Sequence, residues 1–86
     1  MTPSPAPQQT TVLSDLPVGA RALVHRILLE GPEGRRLMDL GLTPGTSVEA
    51  VLRSPLGDPT AYLVRGTMLA LRRVQAEQIE VIECKS

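Results

Sequence analysis

The architecture of this chain turns on one segment, Arg35-Arg36-Leu37-Met38-Asp39-Leu40-Gly41-Leu42-Thr43-Pro44-Gly45-Thr46. Leu37 and Leu40 stand at positions i and i+3, which is the spacing of an apolar helix face. Gly41 fits the left-handed residue that commonly ends a helix. Pro44 and Gly45 occupy the two central positions of a type II turn. The segment therefore predicts a short helix, preceded by a start signal at Gly31-Pro32-Glu33 and followed by a tight turn and a strand.

The rest of the chain predicts a sheet. Residues 47–53 alternate cleanly, and we assign their inner face to Val48, Ala50 and Leu52. Further strands are predicted at residues 61–65, 68–72 and 79–83. A tight turn at Gly66 joins the first two into a hairpin, and one helical turn precedes the last. About five short strands predict a mainly β fold, an SH3-like barrel with the short helix inserted after the first strand, because closing a sheet removes exposed edges.

The first of the predicted strands, residues 20–29, has an irregular pattern. Ala22 and Val24 share one face, but Ile27 is out of phase with them. We therefore expect a β-bulge near His25-Arg26, since one extra residue restores the register.

Composition predicts one small domain with an uncharged tail. The chain has 86 residues, and residues 1–11 are rich in Pro, Gln, Ser and Thr without a charged side chain. We expect residues 1–11 to be a disordered tail and residues 12–86 to be the folded domain. Its core must be aliphatic, because the chain has no Phe or Trp and Tyr62 is its single aromatic residue. Leu13 and Leu16 are expected to close one end of that core.

Charge and cysteine content exclude several classes of function. The formal net charge is zero, so a nucleic acid is not expected as a partner, since little counterion release would drive binding. No apolar run approaches the roughly 20 residues that cross a bilayer, and we expect no direct membrane insertion. Cys84 is the single cysteine, which favours a reducing, cytoplasmic location.

The sequence offers no catalytic constellation and no cofactor motif. His25 is the only histidine, and its pairing with Ser14 or Ser47 has no third group to orient it. A tetrahedral metal site needs several Cys and His ligands at short spacing. The chain supplies one of each, so no metal site within the chain is predicted. His25 and Cys84 leave open an opportunistic metal contact between molecules, and with it a weak homo-oligomer.

Several side chains are candidates for a partner surface. A groove for polyproline peptides needs aromatic residues that this chain lacks, so a binding surface would have to be aliphatic. The apolar candidates are Leu29, Met38, Leu42, Leu56 and Met68. Met38 is more often a core filler than a contact residue. Arg35, Arg36 and Asp39 either form a solvated helix face, with Asp39 paired to an arginine of its own helix, or they contact charged groups of a partner. The pair Arg72-Arg73 has the same two interpretations.

Four motifs together carry a resemblance to a known family. They are Leu13-x-x-Leu16-x-x-Gly19, Arg36-Leu37-x-Asp39-Leu40-Gly41-Leu42-x-Pro44-Gly45-Thr46, Pro55-Leu56-Gly57-Asp58-Pro59 and Leu69-Ala70-Leu71-Arg72-Arg73. With them the chain resembles the FeoA family, small cytosolic proteins of bacterial ferrous iron transport, over residues 13–81. The same SH3-like module is similar to the C-terminal domain of iron-dependent repressors, although no DNA-binding helices precede it here.

The resemblance implies a non-enzymatic accessory protein that binds or regulates FeoB, a membrane permease with a cytosolic GTPase region. On this interpretation the partner-binding residues are Arg35, Arg36, Met38 and Asp39, and the protein is cytoplasmic or recruited to the inner membrane by its partner. The alternative is a metal-responsive domain that senses or carries ferrous iron, which the shortage of ligands disfavours. A repressor-like fragment acting on nucleic acid is opposed by the charge balance.

Overall fold

The computed structural model describes residues 10–84. They form one antiparallel sheet of six strands in the order β1-β6-β2-β3-β4-β5. The strands are β1 (Thr10–Val12), β2 (Arg21–Ile27), β3 (Ser47–Arg53), β4 (Thr60–Val64), β5 (Thr67–Leu71) and β6 (Ile79–Glu83). Helix α1 (Gly31–Asp39) follows β2, helix α2 (Arg73–Ala76) follows β5, and a 3-10 turn (Leu13–Asp15) follows β1. The sheet is not closed into a complete barrel, and β1 and β5 are its two edges.

Two β-bulges set which residues face the core. The pairing of β2 with β6 shifts between Val24 and Arg26, which confirms the bulge expected there. The pairing of β3 with β4 shifts between Ala50 and Leu52. An extra residue moves the following side chains to the other face of the sheet, so Leu52 is 63% exposed. The inward assignment of Leu52 from simple alternation is therefore wrong.

The core between the sheet and its connections is aliphatic, as the composition predicts. Leu13 and Leu16 are fully buried, which confirms that the turn after β1 closes one end of the core. Tyr62 is buried among them, and its hydroxyl donates to the carbonyl oxygen of Leu13 at 3.3 Å. The other buried apolar residues are Ala22, Val24, Leu37, Leu42, Val48, Ala50, Val64, Leu69, Leu71, Ala76, Ile79 and Val81.

Two leucines around the end of α1 exchange the roles that the sequence predicted. Leu37 is buried as expected, but Leu40 is 41% exposed, while the surface candidate Leu42 is fully buried. The chain reverses direction at Gly41, and this turn brings Leu42 rather than Leu40 back over the core. The surface candidate Leu29 is also wrong, since it packs partly buried against the core.

Of the predicted tail, residues 1–11, only the last two residues belong to the part of the chain that the structure describes. Thr10 and Thr11 pair with Ile82 and Val81, so both belong to β1 and to the folded domain. The pairing partner lies at the far end of the sequence, which is why the local composition did not reveal this strand. Residues 1–9 lie outside the described residues.

Neither α1 nor α2, the helices within residues 10–84, is long and apolar enough to cross a membrane.

Candidate functional site

Helix α1 has a well-defined C-terminal end. The N–H of Leu42 donates to the carbonyl of Leu37, and the N–H of Gly41 donates to that of Met38, both at 3.0 Å. This pair of bonds is a Schellman motif, which requires a left-handed residue. Gly41 supplies it with a φ of +112°, and an added Cβ there would stand 3.0 Å from the side chain of Arg65. The glycine stop predicted from sequence is confirmed, and it places the end of α1 beside the β4–β5 turn.

The N-terminal end of α1 contacts α2. The side-chain amide of Gln75 donates to Glu33 at 2.9 Å. Gly34 packs so closely on the segment before the helix that a Cβ there would overlap the carbonyl of Leu29. The start of α1 therefore lies near α2, which follows β5, and the end of α1 lies near the β4–β5 turn, which precedes β5. Helix α1 thus runs alongside β5 in the opposite direction.

All four side chains predicted to bind a partner lie on the exposed surface of α1. They are Arg35, Arg36, Met38 and Asp39. Met38 is 46% exposed, so its interpretation as a core filler does not hold. Within residues 10–84 the ion pairs join other residues, and Asp39 is therefore not paired with an arginine of its own helix. The surface carries two cations and one anion around an exposed methionine.

A groove of about 570 Å³ lies between α1 and β5. Leu37, Leu40 and Arg36 line it from the helix, and four consecutive residues of β5, residues 68–71, line it from the sheet. Leu40 and Met68 are each about half exposed. The helix surface that the sequence singled out therefore continues into an apolar groove. The exposure of Met68 agrees with its prediction as a surface residue, but its place on an edge strand depends on the order of the strands, which has no local signal in the sequence.

A second cavity, of about 430 Å³, lies between the turn after β1 and the loop joining β3 to β4. Arg53, Arg73 and Asp15 line it. Arg53 donates to the carbonyl of Leu16 at 3.5 Å, and the N–H of Arg73 donates to Asp58 at 2.9 Å. These two bonds connect the loops around the cavity, so we assign the cavity a structural role. The cavity has no signal in the sequence, because its lining residues come from separate segments.

Within residues 10–84, no three His, Cys, Asp or Glu side chains lie close enough together to hold a metal ion. His25 and Cys84 are both exposed. The metal-responsive alternative and the shared metal contact both stay predictions. Burial raises the pKa of Tyr62, which outweighs the opposing effects of the Thr60 hydrogen bond and the Arg53 charge.

An open antiparallel sheet with the two short helices α1 and α2 defines a small SH3-like domain, and comparison with known proteins identifies its family. The family model for the FeoA domain matches residues 11–83. The chain therefore belongs to the FeoA family, whose members take part in ferrous iron transport. The predicted fold class and family are both confirmed.

Solved structures of two family members superpose on the chain. The solution structure of FeoA from Chlorobium tepidum is 40% identical, with a TM-score of 0.83 over 87% of this chain and 71% of that one. FeoA from Stenotrophomonas maltophilia, an SH3 domain protein solved in complex with zinc, is 32% identical, with a TM-score of 0.72 over 83% of this chain and 88% of that one.

A curated relative joins two proteins in one chain. It is the Fe(2+) transport protein A/Fe(2+) transporter FeoB fusion protein of Porphyromonas gingivalis, which is 33% identical over 69 residues. The match covers 80% of this chain and 8% of the relative.

A likeness to metal-dependent repressors is limited to the fold. IdeR from T. acidophilum superposes with a TM-score of 0.75 at 21% identity, over 96% of this chain and 37% of that one. At this identity only the shared SH3-like architecture is established.

Proposed function

We propose that the protein is a non-enzymatic accessory protein of ferrous iron uptake that binds the cytosolic GTPase region of a FeoB permease. The observation that carries this proposal is the fusion of a related FeoA segment with FeoB in one chain of P. gingivalis. Fusion keeps two domains at high effective concentration, an arrangement suited to partners that act together. On this proposal the protein works in the cytoplasm, at the inner membrane where its partner resides.

We further propose that the contact is made by the exposed side of α1, with Arg35, Arg36, Met38 and Asp39 as the contact residues. Interface centres are enriched in methionine and arginine, and here these residues adjoin an apolar groove. Their ionic groups have no partner that must first be displaced within residues 10–84. A partner with acidic groups flanking an apolar side chain would complement this surface.

The test is co-purification with the cytosolic region of FeoB from the same organism, with and without guanine nucleotide. Met38→Glu places a charge at the centre of the surface, and Arg36→Glu reverses a charge at its rim. We expect each to lower the retained protein about tenfold or more, as for central interface residues. Val18→Glu is the matched control, because Val18 is half exposed but lies outside α1 and its groove. Unchanged binding by both α1 variants would remove this surface from consideration.

A further inference from the structure

Strand β5 is an unusual edge strand. Edge strands are normally shielded from pairing with other chains by charged residues, proline, short length or a bulge. The five residues of β5, Thr67–Leu71, are Thr, Met, Leu, Ala and Leu, without a charge or a proline. The other edge, β1, is three residues long and contains two threonines. Of the two edges, β5 is the one that offers a regular apolar surface for pairing.

The hairpin geometry determines which backbone groups of β5 are free. Arg65 and Gly66 form a two-residue turn with φ values of +52° and +81°, so Val64 and Thr67 form the hydrogen-bonded pair that closes it. In an antiparallel ladder, bonded and non-bonded pairs alternate. Met68 and Ala70, which stand opposite Leu63 and Ala61, are therefore in non-bonded pairs. Their N–H and C=O groups point away from β4.

These free groups face the groove beside α1. Leu69 and Leu71 point into the core, whereas Met68 and Ala70 are exposed. All four line the groove. Because successive side chains of a strand point to opposite faces, the groove runs along the backbone edge of β5 rather than over one face of the sheet. Within residues 10–84, the backbone bonds outside the sheet ladder involve neither Met68 nor Ala70. The edge thus presents two donors and two acceptors at the spacing of a β-strand.

We propose that the groove binds an extended segment of the partner, which adds to β5 as a seventh strand. This inference rests on the proposed function, since it takes the partner to be the cytosolic region of FeoB. Strand addition combines main-chain bonds with pockets for alternate side chains. Here the pockets are provided by Leu37 and Leu40 of α1.

The groove also indicates the chemistry of the segment. Two charged side chains line it, and Glu33 already accepts a hydrogen bond from Gln75. Arg36 forms no ion pair within residues 10–84, so it complements an acidic side chain. The segment is therefore extended, with alternating apolar residues and a carboxylate opposite Arg36. A five-residue edge does not by itself provide the roughly 1,200 Å² of a stable interface between two folded copies, which disfavours a second copy as the occupant.

Amide hydrogen exchange tests this inference at the backbone. In the free protein the amides of Met68 and Ala70 should exchange fast, and those of Leu69 and Leu71 slowly. In the complex with the FeoB cytosolic region, we expect exchange at Met68 and Ala70 to slow about tenfold or more, as for amides that gain a hydrogen bond. A complex that leaves both amides unprotected overturns strand addition while the proposed function stands. If no complex forms, both proposals fail. Protection that appears on concentrating the protein alone overturns the proposal in favour of pairing between copies.

Proline substitution provides a second test. Ala70→Pro removes an outward N–H that the ladder does not use, and such edge positions tolerate proline. We expect the affinity to fall about tenfold, the equivalent of roughly 1.4 kcal/mol. Ala70→Val is the matched control, because it enlarges the side chain but keeps the N–H. Binding by Ala70→Pro at wild-type affinity, with an unchanged circular dichroism spectrum, contradicts the proposal. Met68→Pro, paired with Met68→Thr, replaces this pair if Ala70→Pro does not fold.

Discussion

Tyr62 and Leu13 are joined by a buried hydrogen bond, in which the tyrosine hydroxyl donates to the leucine carbonyl at 3.3 Å. The two residues are 49 positions apart in the chain. Tyr62 lies on β4, and Leu13 begins the 3-10 turn that follows β1. The bond therefore links the turn after one edge strand, β1, to β4, the strand next to the opposite edge. It adds a second hydrogen bond to a carbonyl that already accepts the N–H of Leu16.

Loss of this bond should destabilise the fold measurably. Tyr62→Phe keeps the ring in the core but removes the donor, and the carbonyl of Leu13 stays buried. The carbonyl of Leu13 keeps its bond from the N–H of Leu16. We therefore expect the free energy of unfolding to fall by about 0.5–1.5 kcal/mol, the net contribution of one hydrogen bond. Urea denaturation followed by circular dichroism measures it. Arg26→Ala, which removes an ion pair between exposed side chains, is the comparison and should cost less than about 1 kcal/mol. Equal losses in the two variants would contradict this account.

Stability should also fall at alkaline pH because of Tyr62. Burial raises its pKa in the folded state, whereas the unfolded chain keeps a value of about 10. Below that pH the phenol is neutral in both states and its stabilising contribution is complete. Above it the unfolded chain releases the proton first, so the unfolded state is favoured. Urea denaturation between neutral and alkaline pH should show this loss in the wild type, and the difference from Tyr62→Phe should shrink as the pH rises past 10. A difference independent of pH would argue against a buried, neutral phenol.

Truncation of Leu42 should destabilise the fold more than truncation of Leu40, which is the reverse of what the sequence predicts. Leu42 is fully buried and Leu40 is 41% exposed. Leu42→Ala should lower the free energy of unfolding by about 2–5 kcal/mol, as large-to-small changes in a core do. Leu40→Ala should cost under about 1 kcal/mol, and its main effect should be on partner binding through the groove. Thermal denaturation of the two variants side by side measures which substitution destabilises the fold more. A larger loss of stability for Leu40→Ala than for Leu42→Ala would contradict the prediction.

Gly34→Ala should disrupt the packing of α1 even though alanine favours helices. The new Cβ would overlap the carbonyl of Leu29, and backbone cannot move aside as a flexible side chain can. We expect a destabilisation of about 1–3 kcal/mol, typical of overpacking, together with weaker partner binding. Arg35→Ala changes an exposed position of the same helix and serves as the control for stability only, since Arg35 is itself a proposed contact residue. A stabilised Gly34→Ala variant would show that α1 does not pack on Leu29 in this way.

The elements of the fold were predictable where local signals are strong. Residues 47–53 and 79–83 are strands with the predicted bounds, because apolar residues recur at every second position over most of each segment. Gly41 ended the helix as expected, since its left-handed conformation is a local requirement. Leu52 and Leu42 were misassigned because a bulge and a chain reversal displaced them from simple periodicity. Thr10 and Thr11 were assigned to the tail because only pairing with β6, a non-local interaction, makes them a strand.

The sequence predicts the helix side of the candidate site but not its strand side, because the strand side depends on non-local pairing. The exposure of Arg35, Arg36 and Asp39 follows from the periodicity of one helix, whereas the sequence left Met38 open to a place in the core. The groove beside them does not, since β5 becomes an edge only through the order of all six strands. The free backbone groups of β5 likewise depend on the turn at Arg65, a non-glycine residue at positive φ.

With a single tyrosine and no tryptophan, the protein has very weak intrinsic fluorescence. The chain contains no tryptophan and one aromatic residue in all. In a mixture with a tryptophan-containing partner, every change in tryptophan emission therefore originates in the partner. Binding can therefore be followed through the partner's tryptophan fluorescence, and unfolding of the isolated protein through Tyr62.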